Sequence, residues 1–223
     1  MNRQKISWLF ILVVPLTAVT LFLELAEDVW FREGFAWDAP IMLAVHSFSL
    51  PWLDTVFRLI ADTAGPLVGI PVLITAVILW QKREWVMALL FPISLVGAAV
   101  LNTLLKHIFS RPRPTVSPPL VAETSYSFPS GHAMSAIAFY GLLSLVLWHH
   151  RQYGWAIVAG IWVPLVALSR VYLGVHYPSD VLASLTLGTI WLSLVWFVYT
   201  DKYALSSTYA QTVVARLNRL FQP

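Results

Sequence analysis

Three short segments of an otherwise apolar chain carry side chains able to hold and attack a phosphate. They are Lys106 with Arg113-Pro114, then Pro129-Ser130-Gly131-His132, then Ser169-Arg170 followed by His176 and Asp180. Cations neutralise a phosphoryl group, an imidazole attacks phosphorus or carries a proton, and a carboxylate fixes which imidazole nitrogen is free. Each group stands at the end of an apolar run. Ionisable side chains are costly to place beside hydrocarbon, so their recurrence there calls for a chemical explanation.

Ser130 precedes an apolar run and is placed to be an N-cap. The free amides of Gly131 and His132 then open a helix whose dipole favours an anion, and Gly131 permits close backbone approach. Taken alone, this tetrapeptide reads equally well as a helix cap beside an incidental interfacial histidine. Lys106 alone reads as a lysine snorkelling from a span end. The stretch Ser110-Arg111-Pro112-Arg113-Pro114 changes that reading, because its prolines limit where the guanidinium groups point and a guanidinium matches phosphate oxygens as a fork. Arg111 is free to face water or headgroups. Ser179 or Asp180 can cap the helix that follows, and a first-turn side chain leans toward its own N-terminus, so the Asp180 carboxylate can meet the His176 ring. That contact leaves the other ring nitrogen free to attack; the plainer alternative is that Asp180 only caps and His176 only lines the interface.

Jointly, the three segments resemble the type-2 phosphatidic acid phosphatase superfamily of membrane lipid phosphatases, which shares its site with vanadium-dependent haloperoxidases and bacterial acid phosphatases. Its signature is lysine, six residues, Arg-Pro; then Pro-Ser-Gly-His; then Ser-Arg, five residues, His, three residues, Asp. Residues 106–114, 129–132 and 169–180 match it without a departure. The resemblance implies His176 as nucleophile, Asp180 as its orienter and His132 as the acid that protonates the leaving oxygen. It further implies Lys106, Arg113, Arg170, Ser130 and the Gly131 amide as phosphoryl ligands, a phosphohistidine intermediate, and no metal or other cofactor.

The elements that must position these groups are membrane spans. Of 223 residues, 58% are hydrophobic and only 11% charged, outside the balance of a soluble domain. A crossing needs roughly 20 mainly apolar residues. Six segments qualify, 6–25, 64–81, 85–107, 131–149, 154–172 and 179–200, giving an all-α integral membrane bundle of six transmembrane helices in a single domain, 1–223. The first run exceeds the roughly 7–15 residues of a signal-peptide core and reads as a retained anchor. Short interfacial helices are expected near 40–48 and 52–61 in the acidic, aromatic first connection, and an amphipathic inner-surface helix over 204–221. Prolines within spans are tolerated as kinks.

Arg3, Lys5, Lys82, Arg83, Arg151, Lys202, Arg216 and Arg219 fall on one side when the N-terminus is cytoplasmic, which the positive-inside bias favours. Alternation then places all three motif segments on the outer face, consistent with a compact protein of a bacterial inner membrane with both termini cytoplasmic. The chain lacks cysteine, which excludes disulfides and thiolate chemistry, and its acids form no metal-binding cluster. Its cations lie in short connections rather than in a basic stripe, so the expected partners are the bilayer and a membrane lipid phosphate rather than nucleic acid. No pattern specifies an oligomeric state. Phosphatidate, phosphatidylglycerol phosphate and undecaprenyl diphosphate all fit motifs that read phosphate oxygens. A haloperoxidase-like enzyme is disfavoured by the spans. An anion or lipid transporter is disfavoured because transporter sites lie near the midplane.

Overall fold

The computed structural model describes residues 3–220, with side chains from 13 to 199. Its elements are α1 (Arg3–Trp30), α2 (Asp38–His46), α3 (Pro51–Asp62), α4 (Gly69–Gln81), α5 (Trp85–Phe109), α6 (Gly131–Ala136), α7 (Leu142–His149), α8 (Tyr153–Tyr172) and α9 (Pro178–Leu220). Among the described residues there is no strand. A 3-10 turn, Pro66–Val68, precedes α4, and a π-helical stretch, Ile137–Gly141, joins α6 to α7.

Four segments are long and apolar enough to cross a membrane: Trp85–Phe109, Gly131–His149, Tyr153–Tyr172 and Pro178–Tyr199. The expected span over 64–81 differs. Its helix α4 has 13 residues, and at about 1.5 Å per residue it is about 20 Å long, short of the roughly 30 Å of hydrocarbon. It reaches spanning length only jointly with α3, from which it is bent by 48°. The break has a local cause in Gly65-Pro66, since proline lacks an amide hydrogen and disfavours helical backbone in the residue before it. Helices α2 and α3 form where short helices are expected in the first connection, α3 opening on Pro51 at its first position. α1 covers the expected first span, although its side chains before residue 13 lie outside the described set. α9 runs on through the 204–221 region without a break up to Leu220, where the side chains are likewise outside the described residues.

Apolar side chains cover the outside of the bundle as well as filling its core. Leu73, Val77, Leu89, Ile93, Val96, Val100 and Leu104 face outward from α4 and α5, whereas Ser130, Ser169, Arg170, His176, Ser179 and Asp180 are buried. Lipid rewards this arrangement, because apolar surface costs nothing there while every interior polar group must find a partner. One link lies in mid-bundle. The Ser94 hydroxyl of α5 donates to the Ala138 carbonyl in the π-helical stretch at 2.9 Å, and the Trp191 indole of α9 donates to the Ser94 carbonyl at 2.9 Å. The rod carrying His132 is thereby tied to both neighbours where its own backbone ladder is irregular. The last turns of α5 and α8 and the first turns of α6 and α9 meet at one end of the bundle, beside α2, α3 and the connection over 110–130.

Candidate active site

Lys106 lies in the last turn of α5, and Ser110 ends that helix in the left-handed region, at φ 46°. The chain then runs without regular structure through Arg111 and Arg113. Ser130 stands at the N-terminal boundary of α6, Arg170 in the last turn of α8, and Asp180 in the first turn of α9. A cavity of ≈ 1000 Å³ is lined by Lys106, Arg113, Gly131, His132 and His176 from the three motifs, with Asn102, Arg111 and Glu123 beside them.

His176 is the centre of this arrangement. It is 1% exposed, its Nδ1 is 3.6 Å from Asp180 Oδ2, and its Nε2 is 3.4 Å from Arg113 Nη1. Burial pushes its pKa down to about 4, against the opposing pull of the nearby Asp180 carboxylate. The ring is therefore neutral at pH 7, with one nitrogen on the carboxylate side and the other beside the cavity's cations. Asp180 Oδ2 accepts the Ser127 hydroxyl at 2.5 Å and the Tyr177 amide at 2.9 Å, and Oδ1 accepts Arg111 Nη1.

Arg113 is held along its whole fork. Its Nε donates to the Ser125 carbonyl at 2.7 Å, Nη1 to the Val175 carbonyl at 2.7 Å, and Nη2 to the Ser125 hydroxyl at 3.1 Å. Burial lowers its pKa from the ordinary arginine range, and the fixed fork makes Arg113 a preset donor rather than a mobile one. Arg170 is 2% exposed, its Nη2 meets Glu123 Oε1 at 2.5 Å, and its Nε has no partner. Ser130 Oγ is also buried without a partner. Of the motif residues, Ser130, Arg170 and Asp180 are not among those that line the cavity.

Several details depart from the sequence reading. Ser130 holds the N-cap position, yet its hydroxyl makes no cap hydrogen bond; its amide instead donates to Ser184 Oγ at 2.6 Å. Lys106 lines the cavity while its ammonium donates to the Tyr126 carbonyl. Arg111 does not face water or headgroups. Its side chain is 12% exposed and pairs with Asp38 and Asp180, two buried carboxylates that would be left uncompensated without a cation. The His132 ring lies over the α3–α4 break, where a Cβ on Gly65 would stand 3.0 Å from its Nε2.

Four contributors escape the motif reading: Asn102, Glu123, Ser127 and Asp38. Asn102 sits one turn before Lys106 on α5, a spacing that places both on one face. Its Nδ2 donates to the Pro129 carbonyl at 3.1 Å, and a Cβ on Gly131 would meet its Oδ1 at 3.1 Å. Glu123 bridges two motif cations, with Oε2 at 3.6 Å from Arg113 Nη2. Among the described residues, no group of three or more His, Asp or Glu side chains is placed to hold a metal ion.

Comparison with known proteins gives a consistent set of likenesses. Residues 85–204 match the PAP2 superfamily. The chain is 33% identical to phosphatidylglycerophosphatase B of Bacillus subtilis (strain 168) over 192 residues, which is 81% of this chain and 92% of that protein. It is 30% identical to an undecaprenyl-diphosphatase of Sulfolobus acidocaldarius, covering 86% of this chain and 89% of the relative. The fold matches the crystal structure of a transmembrane PAP2 type phosphatidylglycerolphosphate phosphatase from Bacillus subtilis with TM-score 0.76 and 31% identity, over 84% of this chain and 96% of that one.

Proposed function

The chain belongs to the PAP2 superfamily and is a membrane lipid phosphatase, and from that premise we propose that it cleaves phosphate from phosphatidylglycerol phosphate or undecaprenyl diphosphate through a phosphohistidine on His176. Phosphatidate is the third candidate substrate. The observation that carries this reading is the His176 ring, with Nδ1 toward Asp180 and Nε2 3.4 Å from Arg113 at the cation-lined cavity.

In the first step the Nε2 lone pair attacks phosphorus, and the bond from phosphorus to the leaving oxygen breaks while His132 delivers a proton to that oxygen. Asp180 accepts from Nδ1–H throughout and stabilises the positive charge that the phosphorylated ring acquires. Water then attacks phosphorus, its proton passes to His132, and the P–N bond breaks to restore His176. Lys106, Arg113, Arg170, the Ser130 hydroxyl and the Gly131 amide stabilise the equatorial oxygens in both transition states. Protein cations thus fill the role that a metal takes in other phosphoryl-transfer sites.

The cavity supports a lipid substrate. It continues from Lys106 along α5 past Thr103 and Ala99 to Leu95, opposite Val68 and Gly69, a distance of about 16 Å at about 1.5 Å per residue. An acyl or prenyl tail fits such an apolar arm while the headgroup stays with the cations. Phosphate release by the purified protein in detergent, measured on phosphatidate, phosphatidylglycerol phosphate and undecaprenyl diphosphate, tests the reading. Turnover of at least one, absent from His176→Ala, is expected; no turnover of any of the three would sink it.

We further infer that the chain crosses a bacterial inner membrane six times, α1 and the bent pair of α3 with α4 joining the four long spans, with both termini cytoplasmic, α2 at the outer interface and the site facing outward. The absence of cysteine makes this directly testable, since a single introduced thiol is an unambiguous reporter. Thr115→Cys is expected to react with a membrane-impermeant maleimide in intact cells, and Gln152→Cys only after permeabilisation. The reverse pattern would invert the topology.

A further inference from the structure

The catalytic aspartate is one member of a longer buried chain of charges. Asp38, near the start of α2, has a side chain only 5% exposed. Its Oδ1 accepts the Ser179 amide at 2.9 Å, and its Oδ2 accepts the Ser179 hydroxyl at 2.5 Å and Arg111 Nη2 at 3.0 Å. The other end of the same guanidinium, Nη1, reaches Ser179 Oγ at 2.8 Å and Asp180 Oδ1. The Tyr177 ring lies 4.2 Å from the Arg111 guanidinium carbon, and the Phe35 ring lies 5.6 Å from it on the α2 side. A planar guanidinium is thus held in place by one carboxylate, one hydroxyl and two aromatic rings, and presents its remaining edge to the oxygen of Asp180 that does not face His176.

We propose that Arg111, anchored by Asp38, is a positioning residue for the phosphatase reaction: by holding Asp180 Oδ1 it fixes the carboxylate with Oδ2, steadied by Ser127 and the Tyr177 amide, turned toward His176 Nδ1, which holds the nucleophile with Nε2 free. The inference rests on the reading of His176 as nucleophile and extends it to a side chain at a position that the first motif leaves unspecified and to a carboxylate in the first connection. A buried carboxylate without a cation is driven toward its protonated form, and a protonated Asp180 can no longer accept from the ring. One cation shared between Asp38 and Asp180 leaves the cluster with an excess of negative charge, which favours the positive ring formed when Nε2 is phosphorylated. Asp38 also supplies the acceptor for an otherwise unpaired first-turn amide of α9, so the same carboxylate sets the helix that carries Asp180 and the cation that aims it.

The test uses the full-length purified protein, a lipid phosphate that it turns over, and Arg111→Gln, Arg111→Lys, Asp38→Asn and the double variant Asp38→Asn/Arg111→Gln. Arg111→Gln is expected to lower kcat by about 10- to 100-fold, the scale on which removing an outer partner of a functional side chain is felt, with KM within about threefold of the parent. Arg111→Lys should restore part of that loss, since it keeps the charge without the fork. The double variant should be no slower than Arg111→Gln alone, because both substitutions cut one chain of contacts. Histidine ¹⁵N shifts should show His176 losing its single Nδ1–H tautomer in Arg111→Gln, a change that a merely structural role would not produce. An unchanged kcat in a folded Arg111→Gln protein, or a raised KM at constant kcat, would overturn the proposal; so would additive losses in the double variant. His176→Ala, run in parallel, separates the two questions: if it retains turnover, the nucleophile reading fails, whereas a dead His176→Ala beside a normal Arg111→Gln sinks only the relay.

Discussion

Substituting His176 by alanine is expected to remove turnover by a factor on the order of 10⁴ or more, the scale of losing a covalent nucleophile. Acid-labile labelling from a ³²P-phosphorylated lipid should vanish with it. The geometry explains why no neighbour substitutes. Arg113 and the other cations are electrophilic donors, Asp180 is committed to Ser127, Tyr177 and Arg111, and His132 lies against Gly65 rather than against a carboxylate. Labelling that persists in His176→Ala would move the nucleophile elsewhere.

The same residue sets an acid boundary. Burial holds the His176 pKa at about 4, below its ordinary 6.5, so the ring stays unprotonated through the neutral range and, as the proposed nucleophile, its acid limb is expected below about pH 5. The sign for stability follows from proton uptake. Between pH 6.5 and about 4 the unfolded chain binds a proton at this histidine and the folded one does not. Stability is therefore lost as pH falls through that window and is fully present above it. A kcat/KM profile, compared with thermal unfolding in detergent across the same range, separates the two effects.

Local pattern made much of this molecule legible. The helical class and the four long spans follow from apolar runs, because caps, prolines and helix ends act over a few residues, whereas the roles expected of the eight motif residues rest on the family resemblance. The second span shows the limit. The apolar run over 64–81 reads as one crossing, yet Gly65-Pro66 breaks it and leaves α4 short. Pairings across the fold were not legible at all. Arg111 lies 73 residues from Asp38 and 69 from Asp180, and nothing in its proline-flanked surroundings indicates two carboxylates instead of water. Glu123 and Ser127 sit in a connection without periodicity, where only the folded chain reveals that one bridges arginines and the other steadies Asp180.

Arg170→Gln is expected to cost about 10²–10³ in kcat, the magnitude for removing one preorganised donor to a transition-state oxyanion. Arg170 is almost fully buried, with Nε unpartnered and Nη2 on Glu123. An unpaired buried donor is costly to keep unless something completes it, and under the proposed mechanism a phosphoryl oxygen is that acceptor. Lysine should rescue little, because its point charge cannot serve a phosphoryl oxygen and Glu123 together. Glu123 supplies the opposite expectation at the same place. Its carboxylate lies between Arg170 and Arg113, at 2.5 Å from one and 3.6 Å from the other, so it is expected to compete as an internal anion with a phosphate that enters. Glu123→Gln removes that competitor's charge while keeping its shape. Inhibition by orthophosphate and by vanadate should therefore become stronger, by about tenfold for each 1.4 kcal/mol of competition relieved, while Arg170→Gln weakens both. Unchanged inhibition in Glu123→Gln would mean that the carboxylate steadies the two arginines without contesting the phosphoryl position, and its loss should then lower kcat alone.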